Sequence, residues 1–197
     1  MRGLQEMSLE ELWQLFPIVL REHQPFYAAW YEEEEEKLLS VLPGACRINH
    51  IGSTAVAGLV AKPIVDILLE LPATYSTAAM RSVLEKAGWL LMAENRMEKT
   101  FDYNKGYTLQ GFGEKVYHLH VKPLGDWGEL YFRDYLQLHT DAAQQYEKLK
   151  IQLGKQFEHD RDAYTEGKTK FVNEHTQKAK DEFGRRYAPK QQKEKSE

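Results

Sequence analysis

The chain is 197 residues long, 42% hydrophobic, 28% charged and 12% aromatic, the make-up of one soluble domain, which excludes collagen, coiled-coil and low-complexity readings. At this size roughly 70% of the extended-chain surface leaves water on folding, so a core forms without staples, and the lone Cys46 points to a reducing, cytoplasmic setting. A net charge of −4 argues against a dedicated nucleic-acid partner, and no apolar run approaches the ~20 residues that span a bilayer. Ser8-Leu9-Glu10-Glu11 is a capping box, in which the hydroxyl and the carboxylate satisfy each other's backbone N–H groups at a helix start. Leu9, Leu12, Trp13, Phe16, Val19 and Leu20 follow at helical spacing, and Pro17 should kink or end that helix. A second helix over 26–42 carries Trp30, Leu38 and Leu42 on its apolar side and stops at Pro43-Gly44.

Strand-like runs follow at 46–51 and 64–71, then a helix over 77–87 and further strands at 89–93, 99–103, 107–112 and 116–121. Gly113-Glu114-Lys115 reads as the hairpin turn between the last two strands. After Pro123 the pattern returns to helix over 130–138, 141–158 and 168–187, with Asp141 and Gln144 as a capping pair. The order describes an α+β domain over 1–188, a mainly antiparallel sheet flanked by N-terminal and C-terminal helices, with a flexible charged tail over 189–197. Glu32 to Glu36 read as solvated helix surface; that run and the tail, with seven basic and four acidic residues over 178–197, are also where a protein partner would dock. Trp13, Trp30, Trp89 and Trp127 read as core or pocket wall.

The most informative stretch is His50-Ile51-Gly52-Ser53-Thr54, then Gly58-Leu59, then Lys62-Pro63-Ile64-Val65-Asp66-Ile67. A strand feeding a Gly-Ser turn presents N–H groups and a hydroxyl to an anion, and glycine lets a phosphate approach closely. Asp66, inside an aliphatic strand, is costly to bury unless a cation or metal compensates it. The structural alternative is an ordinary turn and a strand-edge aspartate.

The broad pattern resembles nucleotidyltransferases of the polymerase-β type. The detail is similar to the GrpB family, whose usual wording is HIGSTSVPGLAAKPIIDI. Later stretches resemble the same family in its order: His118-Leu119-His120-Val121, Phe132-Arg133-Asp134-Tyr135-Leu136, Tyr146-Glu147-Lys148-Leu149-Lys150, and Asp160-Arg161-Asp162-Ala163-Tyr164 with Lys168. The resemblance implies a nucleotidyltransferase-like mixed sheet and a ligand that is a nucleotide or another phosphorylated small molecule. It departs from active nucleotidyltransferases at Leu68, where they place a second carboxylate, and Glu70 is about 13 Å further along the strand, too far to replace it.

His118 and His120 can fill that gap, since two residues apart on a strand they face the same way about 6–7 Å apart. Asp66, His118 and His120 are thus the candidate catalytic residues and metal ligands, for magnesium, manganese or zinc, with no organic cofactor expected. The alternative is that the imidazoles only hydrogen-bond Asp66 or a carbonyl. Candidate phosphate-binding residues are His50, Gly52, Ser53, Thr54, Lys62, Arg133 at the start of its helix, and Arg161, Tyr164 and Lys168 on one helix face. For the basic residues the bland reading is surface ion pairing, and for Arg133-Asp134 a structural salt bridge. Two functions follow: a transferase whose imidazole serves as ligand or base, or a retired enzyme fold that senses a ligand or binds a protein.

Overall fold

Val65–Leu71 organises the molecule. In the computed structural model, which describes residues 3–45 and 47–189, six of the seven residues in this strand are buried. Side chains alternate across a strand, so a strand buried on both sides needs cover on both faces. The odd-numbered residues Val65, Ile67 and Leu69 enter the main core and the even-numbered Asp66, Leu68 and Glu70 face the opposite layer.

In chain order the elements are α1 (Leu9–Leu15), α2 (Phe26–Val41), β1 (Arg47–Ile51), β2 (Val65–Leu71), α3 (Thr77–Lys86), β3 (Leu90–Asn95), β4 (Thr100–Thr108), β5 (Gly111–Pro123), α4 (Gly128–Leu138), α5 (Thr140–Gln156) and α6 (Arg161–Phe183). The sheet order is β1-β2-β5-β4-β3, with β2 and β5 parallel and the other neighbours antiparallel. This is the α+β arrangement with a mixed, mainly antiparallel sheet that the sequence pattern implies. No helix is long and apolar enough to cross a membrane among the described residues.

One face of the sheet is the main core. Val65, Ile67 and Leu69 meet Tyr117, Leu119 and Val121 from β5, Tyr27 and Leu38 from α2, and Met80 and Leu84 from α3. Each such side chain, fully buried, stabilises the fold by about 1.5–3 kcal/mol relative to exposure. The other face is only partly apolar. Leu68 packs with Ile51 and Leu130 beneath α4, while α4, α5 and α6 stack on one another through Leu136, Ala142, Tyr146 and Phe171. Between that helical layer and the sheet the polar side chains of Asp66, His118 and His120 are left uncovered by apolar packing.

Several boundaries differ from the sequence pattern. The 107–112 strand and the turn at Gly113 do not form: β4 and β5 are two long strands, and the hairpin turns between Thr108 and Gly111. Gly106 and Gly113 belong to a bulge, where Gly106 adopts φ +87° and a Cβ would collide with the Lys115 carbonyl. α5 starts after His139 with no side-chain cap, so Asp141 lies in its first turn. Arg133 sits in the middle of α4. α6 starts earlier than expected, capped by Asp160, which accepts from the Ala163 N–H at 2.9 Å. It runs through Gly167 because a side chain there would meet Leu153 of α5.

The acidic run is also not uniformly solvated. Glu32, Glu33 and Glu36 are exposed, but Glu34 is buried and accepts from Lys105 Nζ at 2.6 Å. Cys46 and the tail beyond 189 lie outside the described residues.

Candidate functional site

β1 delivers the chain to Gly52, which adopts φ +71°. A Cβ there would fall within the van der Waals radius of the Asp66 carboxylate, so only glycine lets the turn pass over this aspartate. The next residues form a single 3₁₀ turn, Ser53–Ala55, and its two hydroxyls go opposite ways. Thr54 points inward. It donates to the Ile64 carbonyl at 3.2 Å and its oxygen accepts from His50 Nε2 at 2.9 Å, while the His50 ring stacks on Tyr31. His50 and Thr54 therefore lock the turn and do not line the cavity. Ser53 does line it and accepts from Lys150 Nζ at 3.1 Å.

The parallel register sets Asp66 of β2 directly beside His118 of β5. His118 Nδ1 lies 3.0 Å from Asp66 Oδ1, and its Nε2 lies 2.7 Å from the Tyr107 hydroxyl and 3.0 Å from Arg161 Nη2. A guanidinium can only donate, so Nε2 is the acceptor and Nδ1 carries the proton given to Asp66. This makes His118 a neutral imidazole. Its pKa is lowered to about 4, by burial first, against the pull of Asp66 and with the Arg161 and Lys62 charges adding to the fall. Burial by itself would raise Asp66, but the hydrogen bond it accepts from His118, with the positive charges of His120 and Lys62 nearby, holds it well below the usual carboxylate range. We take Asp66 as ionised, since that N–H and the ammonium suffice without a charged imidazole.

The cavity between the sheet and α4–α6 is about 660 Å³ and is walled by Gly52, Ser53, Asp66, Tyr146, Tyr164 and four cations. Those cations are Lys62, Lys150, Arg161 and Lys168. Lys150 is 2% exposed, and besides Ser53 its ammonium donates to the Val60 carbonyl. Lys62 and Lys168 stand over the Tyr164 ring at 5.7 and 4.4 Å, and Lys150 over Tyr146 at 4.9 Å. Burial pushes Lys62 and Lys150 down to about 7 and Lys168 to about 8, and the positive neighbours add to each fall.

Of the residues singled out in the sequence, Gly52, Ser53, Lys62, Asp66, His118, His120, Arg161, Tyr164 and Lys168 share this cavity. Arg133 does not. It grips Asp134 through two nitrogens at 2.9 and 2.8 Å and donates to the His50 carbonyl, the structural reading of Arg133-Asp134. Asp134 also accepts from Arg186 and the Tyr187 hydroxyl, and a second pair, Arg47 on Glu70, is joined to it through the Tyr187 carbonyl. These groups clasp the end of the chain to the sheet.

His120 turns to Asp102, at 2.7 Å, and so does not complete a set with Asp66 and His118. Leu68 is fully buried, and among the described residues no three His, Cys, Asp or Glu side chains are grouped as a metal ion needs.

A family model described as GrpB protein matches residues 17–178. The chain belongs to the GrpB family. Among similar proteins, a UPF0157 protein of Pseudomonas aeruginosa is 39% identical over 142 residues, 72% of this chain and 58% of that one. The UPF0157 protein YqkA of Bacillus subtilis is 30% identical over 158 residues, 78% of this chain and 45% of that one. This GrpB-family chain therefore spans about half the length of those two relatives. The crystal structure of conserved protein GrpB from Enterococcus faecalis matches with a TM-score of 0.74 and 26% identity, over 84% of this chain and 99% of that one. Cid1 poly(U) polymerase is more distant, with a TM-score of 0.46 and 12% identity over 67% of this chain and 43% of that one.

Three residues of the site are not among the sequence's site candidates: Tyr107, and Tyr146 and Lys150, which bound one of the stretches that resemble the family. Lys150 and Tyr146 lie one turn apart on α5 in line with Ala142 and Leu153, both buried. A lysine on the apolar stripe of a helix was the signal available. Tyr107 gave none, because its role depends on the bulge that places it beside His118.

Proposed function

We propose that this chain binds a nucleotide or another phosphorylated small molecule in the cleft between the sheet and α5–α6, its phosphate held by Lys62, Lys150, Arg161 and Lys168 beside the Ser53 turn. The observation that carries this reading is the charge imbalance. Four cations surround one cavity, and its carboxylates are Asp66, already hydrogen-bonded to His118, and Glu129, which pairs with Lys122. Crowding ammonium groups away from water costs free energy, and a bound phosphate returns part of it by restoring their charge.

The Asp66–His118 pair adds a base to that pocket. The carboxylate orients the ring, and Nε2 keeps its lone pair toward the position now occupied by the Tyr107 hydroxyl. An acceptor hydroxyl in that position would give its proton to Nε2 as its oxygen attacked the α-phosphorus of a nucleoside triphosphate, the bond from that phosphorus to its bridging oxygen would break with pyrophosphate leaving as an anion held by the cleft lysines, and Arg161 would face the charge that develops. Asp66 is the cavity carboxylate beside the Ser53 turn that a divalent cation could use. Such a cation would have to be shared with phosphate oxygens, and the steps above do not depend on it. The burial of Leu68 favours the second reading, a binding protein without turnover, since the next position on that face of β2 carries no carboxylate beside Asp66.

Calorimetric titration with inorganic pyrophosphate and with ATP, in EDTA and again in Mg²⁺, tests the reading. Saturable binding that survives EDTA and weakens at least about tenfold in Lys150→Met is expected, a loss of about 1.4 kcal/mol or more. Absence of binding by both probes, or unchanged binding in the variant, refutes it. ATP bound but never consumed would select the reading without turnover.

A further inference from the structure

A second cavity, of about 610 Å³, lies on the other side of the Tyr107–His118–Arg161 group. Its walls are the inner side of α1, with Leu9, Leu12 and Trp13, then Phe16, and the strand residues Leu91 and Met92. It contains none of the cleft's lysines. Three residues, His118, His120 and Arg161, line both cavities, so the two share one wall. Across that wall Arg161 Nη1 lies 3.1 Å from the Tyr107 hydroxyl and Nη2 3.0 Å from His118 Nε2. Arg161 is the link a phosphate would engage, and a phosphate drawing its guanidinium into the cleft would open the way between the compartments.

Resting on the reading of the cleft as a phosphate site, we infer that this second cavity holds the organic end of the same ligand, which makes the ligand class a phosphoester of an apolar alkyl or aryl group. Charge assigns the ends: the cations stand on the cleft side, whereas the charged groups on this side beyond the shared wall are Asp102 and Asp162, which repel a second anion. Asp102 is moreover taken up by His120. The apolar walls are unpaid surface in the folded chain. α1 buries none of its own residues, and Leu9 is 58% exposed although it faces the cavity. An apolar group seated there removes both its own surface and that of α1 from water, and it stays joined to the phosphate through the shared wall.

The test is calorimetric titration with inorganic pyrophosphate, then with ethyl, butyl and hexyl monophosphate, and with AMP. The expected result is affinity rising about two- to fourfold per added methylene, with hexyl phosphate bound more tightly than AMP. Trp13→Asp should flatten the series and leave pyrophosphate affinity within about twofold, and Leu9→Asp at a half-exposed position is the second variant, checked for folding by circular dichroism. Pyrophosphate failing to bind the unaltered protein would overturn the reading of the cleft itself. Pyrophosphate binding with no chain-length gain, with a gain that survives both substitutions, or with AMP preferred over hexyl phosphate would overturn this inference alone.

Discussion

Two polar clusters lie on the same face of the sheet, and they are built on opposite principles. The clasp at the chain end sets Arg47, Arg133 and Arg186 against Glu70 and Asp134, and the Tyr187 and His50 carbonyls take up further guanidinium donors. Its Glu70 also accepts from the Gly125 N–H at 3.0 Å. In the cleft, four cations share a cavity with Asp66 and Glu129. The clasp is complete within the chain, whereas the cleft, on the reading proposed above, is completed by an anion from outside. A buried charge cluster that satisfies itself holds structure together, and one that does not is a place to look for a ligand.

Substitutions should separate the two clusters. Glu70→Ala removes a fully buried carboxylate and strands Arg47, so a loss of about 3–5 kcal/mol in a urea titration is expected, with phosphate binding intact in the folded fraction. If Glu70→Ala instead abolished binding without loss of stability, the clasp would be part of the site and the contrast would collapse. Gly52→Ala comes next. The positive-φ, extended backbone at Gly52 alone costs any other residue about 1–3 kcal/mol, and the added methyl must displace the Asp66 carboxylate. Phosphate binding in this variant should weaken while the melting temperature falls by only a few degrees, and normal binding would show that the turn does not shape the site.

The smallest effect is a pH dependence, whose range distinguishes the clusters. Lys62, Lys150 and Lys168 titrate near 7–8 in the empty fold against a usual 10.5, so between those limits the unfolded chain holds more protons. Through these groups stability of the unliganded protein rises as pH climbs from about 7 toward 10, and pyrophosphate affinity falls over the same range as the ammoniums discharge. In the clasp Asp134 is held below its usual value, burial being outweighed by Tyr187 and Arg133, so its stabilisation is fully present above pH 4 and fades only in acid. Thermal melts from pH 4 to 10, with and without pyrophosphate, would show both behaviours, and an affinity that is flat from pH 6 to 9 would break the assignment of the lysines.

How much of this was legible in the sequence follows from the range of the interactions. Helices α2 and α3 and strand β2 are where local pattern puts them, because their signals lie within a few residues: Pro43-Gly44 after α2, and prolines on either side of β2. The hairpin was misplaced because Gly113 serves a bulge partner, Gly106, on the adjacent strand, and a glycine needed for close approach looks the same in sequence as one needed for a turn. In the site, Gly52, Ser53, Asp66 and His118 were legible through their spacing and family wording. His120 was legible as a cavity residue but its partner was not, since Asp102, which claims it, lies one strand further on. The place of Lys150 in the site was not legible either, although it closes a family-like stretch, because its partner Ser53 is 97 residues away and only the fold of α5 against the turn brings them together.

The parallel pairing of β2 and β5 has a further consequence, for the order in which the molecule can be built. Each antiparallel pair joins strands that follow one another in the chain, while this pair closes over α3, β3 and β4. Asp66 and His118, 52 residues apart, meet only when that longest closure in the sheet has been made. Loop entropy makes such a closure among the later and slower events of folding. A nascent chain can therefore form its β1–β2 hairpin, glycine turn included, and still lack the dyad, whose hydrogen bond marks a finished sheet.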